Sequence, residues 1–547
     1  MADQDIKPTP ADNPLSLDKE VVAQHDETTG TLASEARLAA ESEQNMTLWQ
    51  AIKTYPKAIG WSVLLSSTLI MEGYDLSLLG HLYGSPVFNE KFGEWHEPSQ
   101  SYVVSAAWMS ALSNGARAGE VIGLILAGWM QDRWGYKKSM IVNLIFMIAF
   151  VFILFFAPNV QVLVVGEVFC GLPWGAFQSI TPAYASEVAP VKLRPYLTTF
   201  INMCWVIGQF FSSAVNYSSV TRTDEWAYRL PFAIQWLWPV LILAGVLFAP
   251  ESPWWYIRNN DRASARKALL RLTSRNQPSF NPDETIAMIE YTNEMERQLK
   301  EGVRYRDCFK GTDLRRTEIV VLTWVAQVLS GQNLMGYFSY FMVQAGLDPA
   351  NSMAMAMGNG ALGLVGTMGS WFLMTHIGRR RIFISGICTQ LCILVTVGSL
   401  SFASSNASVW AIGAMLILFT FVYDFTIGPI TYCLVSELSS TRLKSKTIVM
   451  ARAAYNAVNI FVNVMTNYQL NTGAWNWGAK TAYFWAGSCL LCTIWVFFRL
   501  PEPKDRSYAE LDLLFEHQVP ARKFAKTKID PYSQDHTVEK RLSTASE

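Results

Sequence analysis

Charge is scarce in this sequence. Asp, Glu, Lys and Arg make up 16% of its 547 residues, where soluble domains carry about 25%. The 44 basic and 44 acidic residues cancel, so nothing in the charge balance points to nucleic acid as a partner. Histidine is rare, and the eight cysteines are scattered, mostly in apolar runs. Cys489 and Cys492 form a CxxC, but with no His or second CxxC nearby they read as small packing residues rather than a metal or redox site. No nucleophile–base pair, Gly-rich phosphate loop or metal cluster is apparent, which argues against an enzyme and against a nucleotide-driven pump. No cofactor or metal is expected. No cleavable signal pattern is visible, and residues 1–54 are polar and read as a disordered tail.

Apolar sequence is abundant instead: 51% of residues are hydrophobic, with 20 Trp and 30 Phe. Runs of about 20 apolar residues mark membrane-spanning helices. Twelve are predicted, near 58–82, 102–128, 138–157, 160–184, 196–219, 229–249, 318–342, 352–376, 382–403, 409–436, 447–468 and 480–500. The fold class is therefore an all-α membrane protein. A polar linker, 253–316, with helical patterning in DRASARKALLRL and DETIAMIEYTNEMERQLKEG, separates a six-helix half (55–252) from a second one (317–500), and 501–547 forms a tail. The loops RWGYKK, VKLRP, GRRR and RLKSK are basic, and the loops of the opposite side almost lack positive charge. The basic loops, the linker and both tails are therefore expected in the cytosol. The sequons at Asn216 and Asn406 fall at the outer face and a third, Asn45, in the tail, so the pattern is weak evidence of glycosylation.

The halves echo each other. GWMQDRWGYKK after the second span has a counterpart in THIGRRR after the eighth, PAYASEVAPVKLRP in TYCLVSELSSTRLKSK, and APESPWW in LPEPKDR. Parallel repeats of six helices mark major-facilitator transporters, with the substrate near midplane between the halves. Along nearly all of residues 55–516 the chain resembles the sugar-porter branch of that superfamily, and within it the fungal α-glucoside (maltose-type) proton symporters. The resemblance rests on MEGYD, GLPWGAFQSITPAYASEVAP, LTTFINMCWVIGQ, PESPWWYIR and SELSSTRLKSKTIVMAR in that order. It implies two pseudo-symmetric halves, alternating access and import of an α-glucoside such as maltose, with a proton as coupling ion. A functional monomer in the lipid of the cell membrane is expected. The alternatives are a monosaccharide or other oligosaccharide as substrate, or a non-transporting sugar receptor.

A carboxylate at membrane depth is costly, so each is a functional candidate. Glu72 and Asp75 are three apart and share a helix face. Two acids held together away from water suit a group that loads a proton on one side and releases it on the other. Asp75 matches the first-helix aspartate of proton-coupled sugar porters. Glu120 follows Arg117 by one turn, and the two can pair locally. Glu167 stands where the family pattern has an arginine that pairs with the first-helix aspartate, so that pair cannot form here. Arg452 is the expected replacement, Arg117 the second choice. The proton-coupling set is thus Glu72, Asp75, Glu120, Glu167 and Arg452.

Asp132, Arg133, Lys137, Lys138, Arg379 and Arg380 match the family's cytosolic loop motif, as do Glu187 with Arg194 and Glu437 with Arg442 or Lys444. The resemblance implies charge networks that latch the halves in the outward-open state. Thr375 replaces the acid expected in the second copy, which weakens that network. Sugar recognition needs amides and hydroxyls beside aromatic faces. QVLSGQN resembles a family motif and places Gln327 and Asn333, with Tyr337 one turn on, while Val328 replaces its second Gln. Asn202 and Gln209 in the fifth span, Tyr432 in the tenth, and Tyr455, Asn456 and Asn459 in the eleventh fill further slots. Smaller or shifted side chains there suggest a roomier site that fits a disaccharide. Each amide has an alternative use in hydrogen bonding between helices.

Overall fold

The computed structural model describes residues 42–43, 46–97, 100–190, 192–274, 280–300, 304–344, 346–403, 405–440, 443–504, 506, 508–528 and 539–540. Asn45 and Arg442 lie outside them. The described residues form twelve long helical stretches. The first is split at Ser67 into Pro56–Ser66 and Thr68–Leu82. The second and third run together as Ala106–Phe155, broken at Gly135, whose φ of 83° is a conformation that favours glycine. Val160–Val188 and Arg194–Ser219 follow, and the sixth comprises Trp226–Ile234 and Leu237–Val246. The eighth, ninth, eleventh and twelfth are Pro349–His376, Arg379–Leu400, Lys444–Leu470 and Thr481–Arg499. Eight helical stretches among the described residues are long and apolar enough to cross a membrane, and the one at 106–155 is long enough to cross twice. Large apolar side chains face outward along the spans, among them Ile125, Phe248, Phe372 and Leu491, each at least 70% exposed. Such a surface suits lipid rather than water.

The seventh and tenth spans are interrupted where polar residues reach the interior. Gly311–Gln327 gives way to a π-helical turn, Val328–Gln332, in which Gly331 has φ 94°, and the chain continues as Asn333–Gly336 and Phe338–Gln344. Asn406–Val422 gives way to a second π turn, Tyr423–Ile427, before Gly428–Leu438. Pro429 has no N–H to continue the regular ladder, which favours a break just before it. π turns of this kind recur at functional sites. Glycine sets the position of the first span. A methyl group on Gly73 would collide with the backbone of Trp205, and one on Gly208 with the carbonyl of Ile70. The first and fifth helices therefore meet backbone to backbone beside Glu72 and Asp75.

Outside the spans the chain is more ordered than its polarity suggests. Leu48–Thr54, inside the stretch expected to be disordered, is a helix, because Thr47 and Gln50 close a reciprocal cap at its start. The linker carries helices at Arg262–Leu272 and Pro282–Lys300. A short hairpin, Glu94–His96 with Ser101–Val103, joins the first and second spans; strands of three residues are too brief to show an alternating pattern. The repeat is visible as chemistry at the end carrying the basic loops. Glu251 accepts from the backbone N–H groups of Tyr136 and Lys137, both at 2.9 Å, and Glu502 accepts from the N–H of Arg380 at 3.2 Å. Burial pushes the Glu251 carboxyl above the usual range, against the opposing pull of these N–H groups.

Candidate functional site

A cavity of about 150 Å³ lies between the halves and is walled by the first, second, fifth, seventh, tenth and eleventh spans. Glu72, Asp75 and Arg117 come from one half, and Gln327, Asn333 and Arg452 from the other. Asn202, Gln209, Tyr337, Tyr432, Tyr455 and Asn459 also face it. Of the sugar-site residues expected from the sequence, Asn456 is the exception. It is fully buried outside the lining, with neither amide atom hydrogen-bonded among the described residues.

The acids divide into two groups. In the first, Arg117 donates to both oxygens of Glu120, at 2.8 and 3.1 Å, and its Nη1 lies 3.8 Å from Glu72 Oε1. The local pair with Glu120 therefore forms, but Arg117 is shared with Glu72. In the second, Asp75 accepts from the Gln235 amide, and Glu167, fully buried like Asp75, is close enough to interact with it. Both oxygens of Glu167, and Asp75 Oδ2, lack a hydrogen-bond partner among the described residues. The expectation that Arg452 pairs with Asp75 is overturned. Arg452 donates through Nη2 and Nε to Gln178 Oε1, at 2.7 and 3.1 Å, and the Gln178 amide donates onward to Glu72 at 2.7 Å. The cation acts at one remove and on the other acid, because the Gln178 side chain of the fourth span stands between them.

Arg452 also lies over three rings, at 4.7 Å from the centre of Tyr455, 4.9 Å from Trp324 and 5.6 Å from Trp205. Trp205, Tyr432 and Tyr455 line the cavity and Trp324 meets Tyr432 edge-on at 4.8 Å, so the cavity has the aromatic wall that suits a sugar ring. The amides are partly tied into the protein. Gln327 donates weakly to the Gly428 carbonyl at 3.4 Å, Asn333 donates to Asn463, and the Tyr337 hydroxyl is 2.9 Å from that of Ser113. Asp424, in the π turn of the tenth span, faces the cavity beside Asn202.

Bonds between the halves gather at the end away from the basic loops. His81 bridges Ser339 at 2.7 Å and Ser213 at 2.9 Å, Tyr83 stacks on Tyr337, and Asn471 donates to the Val104 carbonyl at 2.9 Å. The cavity is capped there. At the basic end the described pairs join Glu187 to Arg258 of the linker and Glu437 to Arg379 within the second half. Glu187 binds Arg258 at 2.8 Å and the Tyr136 hydroxyl at 2.7 Å, not Arg194, which turns back to the Ala189 carbonyl. Arg258 ends the short helix Pro253–Arg258 that follows the sixth span, and this brings it to the end of the fourth. Glu437 pairs with Arg379 at 3.3 Å; Arg442 and the Lys444 side chain are outside the described set. Arg380 donates to the Leu500 and Phe497 carbonyls and Lys137 to that of Leu247, each at 2.7 Å, closing helix ends. Asp132, Arg133 and Lys138 are exposed. Asn216, expected at the outer face as a sequon, is buried and donates to the Ser212 carbonyl.

Sequence reasoning missed Gln178, Gln235, Trp205, Trp324 and Asp424. A single polar residue inside an apolar run was the available signal for Gln178, Gln235 and Asp424.

The sugar (and other) transporter family profile matches residues 61–515. A maltose permease of Saccharomyces cerevisiae is 40% identical over 504 residues, covering 91% of this chain and 82% of the relative. A general alpha-glucoside permease of the same yeast is 40% identical over 518 residues, 94% of this chain and 84% of the relative. Among solved structures, the partially occluded inward-open xylose transporter XylE of E. coli superposes with a TM-score of 0.67 at 18% identity, covering 83% of this chain and 99% of that one. The same transporter bound to 6-bromo-6-deoxy-D-glucose gives 0.68 at 20% identity, over 84% and 99%. These likenesses show the twelve-helix major-facilitator fold.

Proposed function

The chain belongs to the sugar (and other) transporter family, and from that premise we propose that it imports an α-glucoside such as maltose together with a proton, by alternating access. It is a transporter rather than an enzyme. One arrangement supports this reading above all: a cavity between the halves has buried acids on one side and aromatic rings with amides on the other. Sugar and proton would then meet at Glu72. The group of Glu72, Arg117 and Glu120, which Arg452 reaches only through Gln178, holds one more acid than base. With every member ionised it carries a net negative charge, which a low-dielectric interior disfavours and one added proton removes. Asp75 and Glu167, both fully buried and each with an oxygen that has no partner among the described residues, are a second place where a proton can sit. The basic loops and tails face the cytosol in this reading, so the capped end is extracellular and the conformation is inward-facing. The protein works as a monomer in the cell membrane.

Radiolabelled maltose uptake in a transport-null cell tests the proposal. Accumulation that collapses with an uncoupler is expected. Uptake indifferent to the uncoupler would remove the proton from the account, and uptake of glucose but not maltose would replace the substrate.

Binding makes a second test. Gln327→Ala and Asn333→Ala should each weaken sugar binding by about 1–3 kcal/mol, because buried sugar hydroxyls lose a partner. Unchanged affinity in both variants would mean that these amides serve only to join helices, as the Asn333–Asn463 bond already does.

A further inference from the structure

The cap that closes the cavity is built from the residue types of a sugar site. Tyr83 of the first span and Tyr337 of the seventh stack across the boundary between the halves, with ring centres 6.3 Å apart and planes 10° from parallel. Tyr340 meets Tyr83 edge-on. Asn467 of the eleventh span stands with them and faces Ser110 of the second, in the other half. Beside the good bonds of His81 and Asn471, other polar groups of this cap are poorly served. Asn467 donates to the Ser110 hydroxyl at a long 3.3 Å, and its Oδ1 has no hydrogen-bond partner among the described residues. The Tyr340 hydroxyl has the Thr472 backbone N–H near it but no acceptor for its own proton among the described residues. Both residues are at most 2% exposed, so these unmade bonds are costly in the closed state.

Cap and cavity are continuous. Tyr337 and Ser113, joined by their hydroxyls at 2.9 Å, line the cavity while Tyr337 also forms the cap. A molecule of two rings that places one ring among the cavity aromatics therefore extends its other ring toward the cap. In the closed state the stacked tyrosines leave no room for it. A sugar ring held between two aromatic faces needs about 7–8 Å between them, two carbon contacts of about 3.5–4 Å each.

We propose that the cap is the subsite for the second ring of a disaccharide, available when the halves part on the outer side. Tyr83 and Tyr337 then take the two faces of that ring. Asn467 and Tyr340 bond its hydroxyls, which both donate and accept and so satisfy the groups left unpartnered in the closed cap. The inference rests on the sugar-transport reading and adds a reason for preferring two rings to one.

The test compares maltose with methyl α-glucoside, a one-ring α-glucoside, in a transport-null cell expressing the full chain. The half-saturation constant for labelled maltose is measured, together with the inhibition constant of methyl α-glucoside against it. In Tyr83→Ala the constant for maltose should rise about tenfold relative to that for methyl α-glucoside, an effect of the size expected for a lost aromatic contact. Tyr83→Phe keeps the ring and should keep the wild-type ratio. Asn467→Ala should shift the ratio in the same direction, and it carries the prediction if Tyr83→Ala does not reach the membrane. A cap that only closes the path changes both constants alike, so an unaltered ratio in Tyr83→Ala and Asn467→Ala would overturn the proposal. Wild-type protein that takes up no maltose would overturn the transport reading instead.

Discussion

Glu120→Gln should leave the protein able to exchange sugar across the membrane but unable to accumulate it. Glu120 is fully buried, and Arg117 binds both its oxygens. The same guanidinium lies 3.8 Å from Glu72. Two acids sharing one base can hold a proton without leaving Arg117 unpaired. With Gln at position 120, Glu72 alone faces Arg117 directly and Arg452 through Gln178, and the attraction that keeps it ionised away from water is large. Removing the proton's place in this way separates sugar movement from the proton gradient. Labelled maltose accumulation at several external pH values should fall to the equilibrium level, while counterflow of unlabelled against labelled sugar continues. Full pH-driven accumulation in a normally expressed variant would move the coupling site elsewhere, with Asp75 and Glu167 the next place to look.

The twelve spans were legible in the sequence because their signal is length and composition alone. The motif residues facing the cavity were legible through resemblance, and most of them do line it. What remained hidden was partner choice. A buried acid announces that it needs a partner, but not which helix supplies one. Arg452 and Asp75 carry opposite charge and line the same cavity, yet Gln178 intervenes and directs the cation to Glu72. Glu187 is another case: Arg194 is near in sequence, but Arg258, beyond two further spans, is near in space. Asn456 fits a motif slot next to Tyr455, yet consecutive residues on a helix point about 100° apart, and only Tyr455 reaches the cavity. Asp424 escaped notice because the GPITY motif drew attention to the end of the tenth span, and the π turn that aims Asp424 inward has no periodicity of its own.

Arg452→Lys should be nearly as damaging as Arg452→Ala, although it keeps the charge. Arginine here does two things that lysine cannot. Its fork donates twice to Gln178 Oε1, and its flat guanidinium lies over Tyr455 and Trp324. An ammonium group is a compact point charge that matches neither geometry. Losing the charged hydrogen bonds costs about 1.5–3 kcal/mol, which corresponds to roughly a tenfold to hundredfold fall in sugar uptake efficiency. The contact also joins the halves, since Arg452 belongs to the eleventh span and Gln178 to the fourth, with Glu72 of the first span beyond it. If Arg452 acts on Glu72 through Gln178, then Gln178→Ala should reproduce much of the loss. Combining it with Arg452→Lys should add little, because both changes cut the same connection. Uptake kinetics of the two single variants and the double variant measure this directly. Losses that sum in the double variant would mean that Arg452 and Gln178 act separately, and near-wild-type transport by Arg452→Lys would reduce the arginine to a source of positive charge.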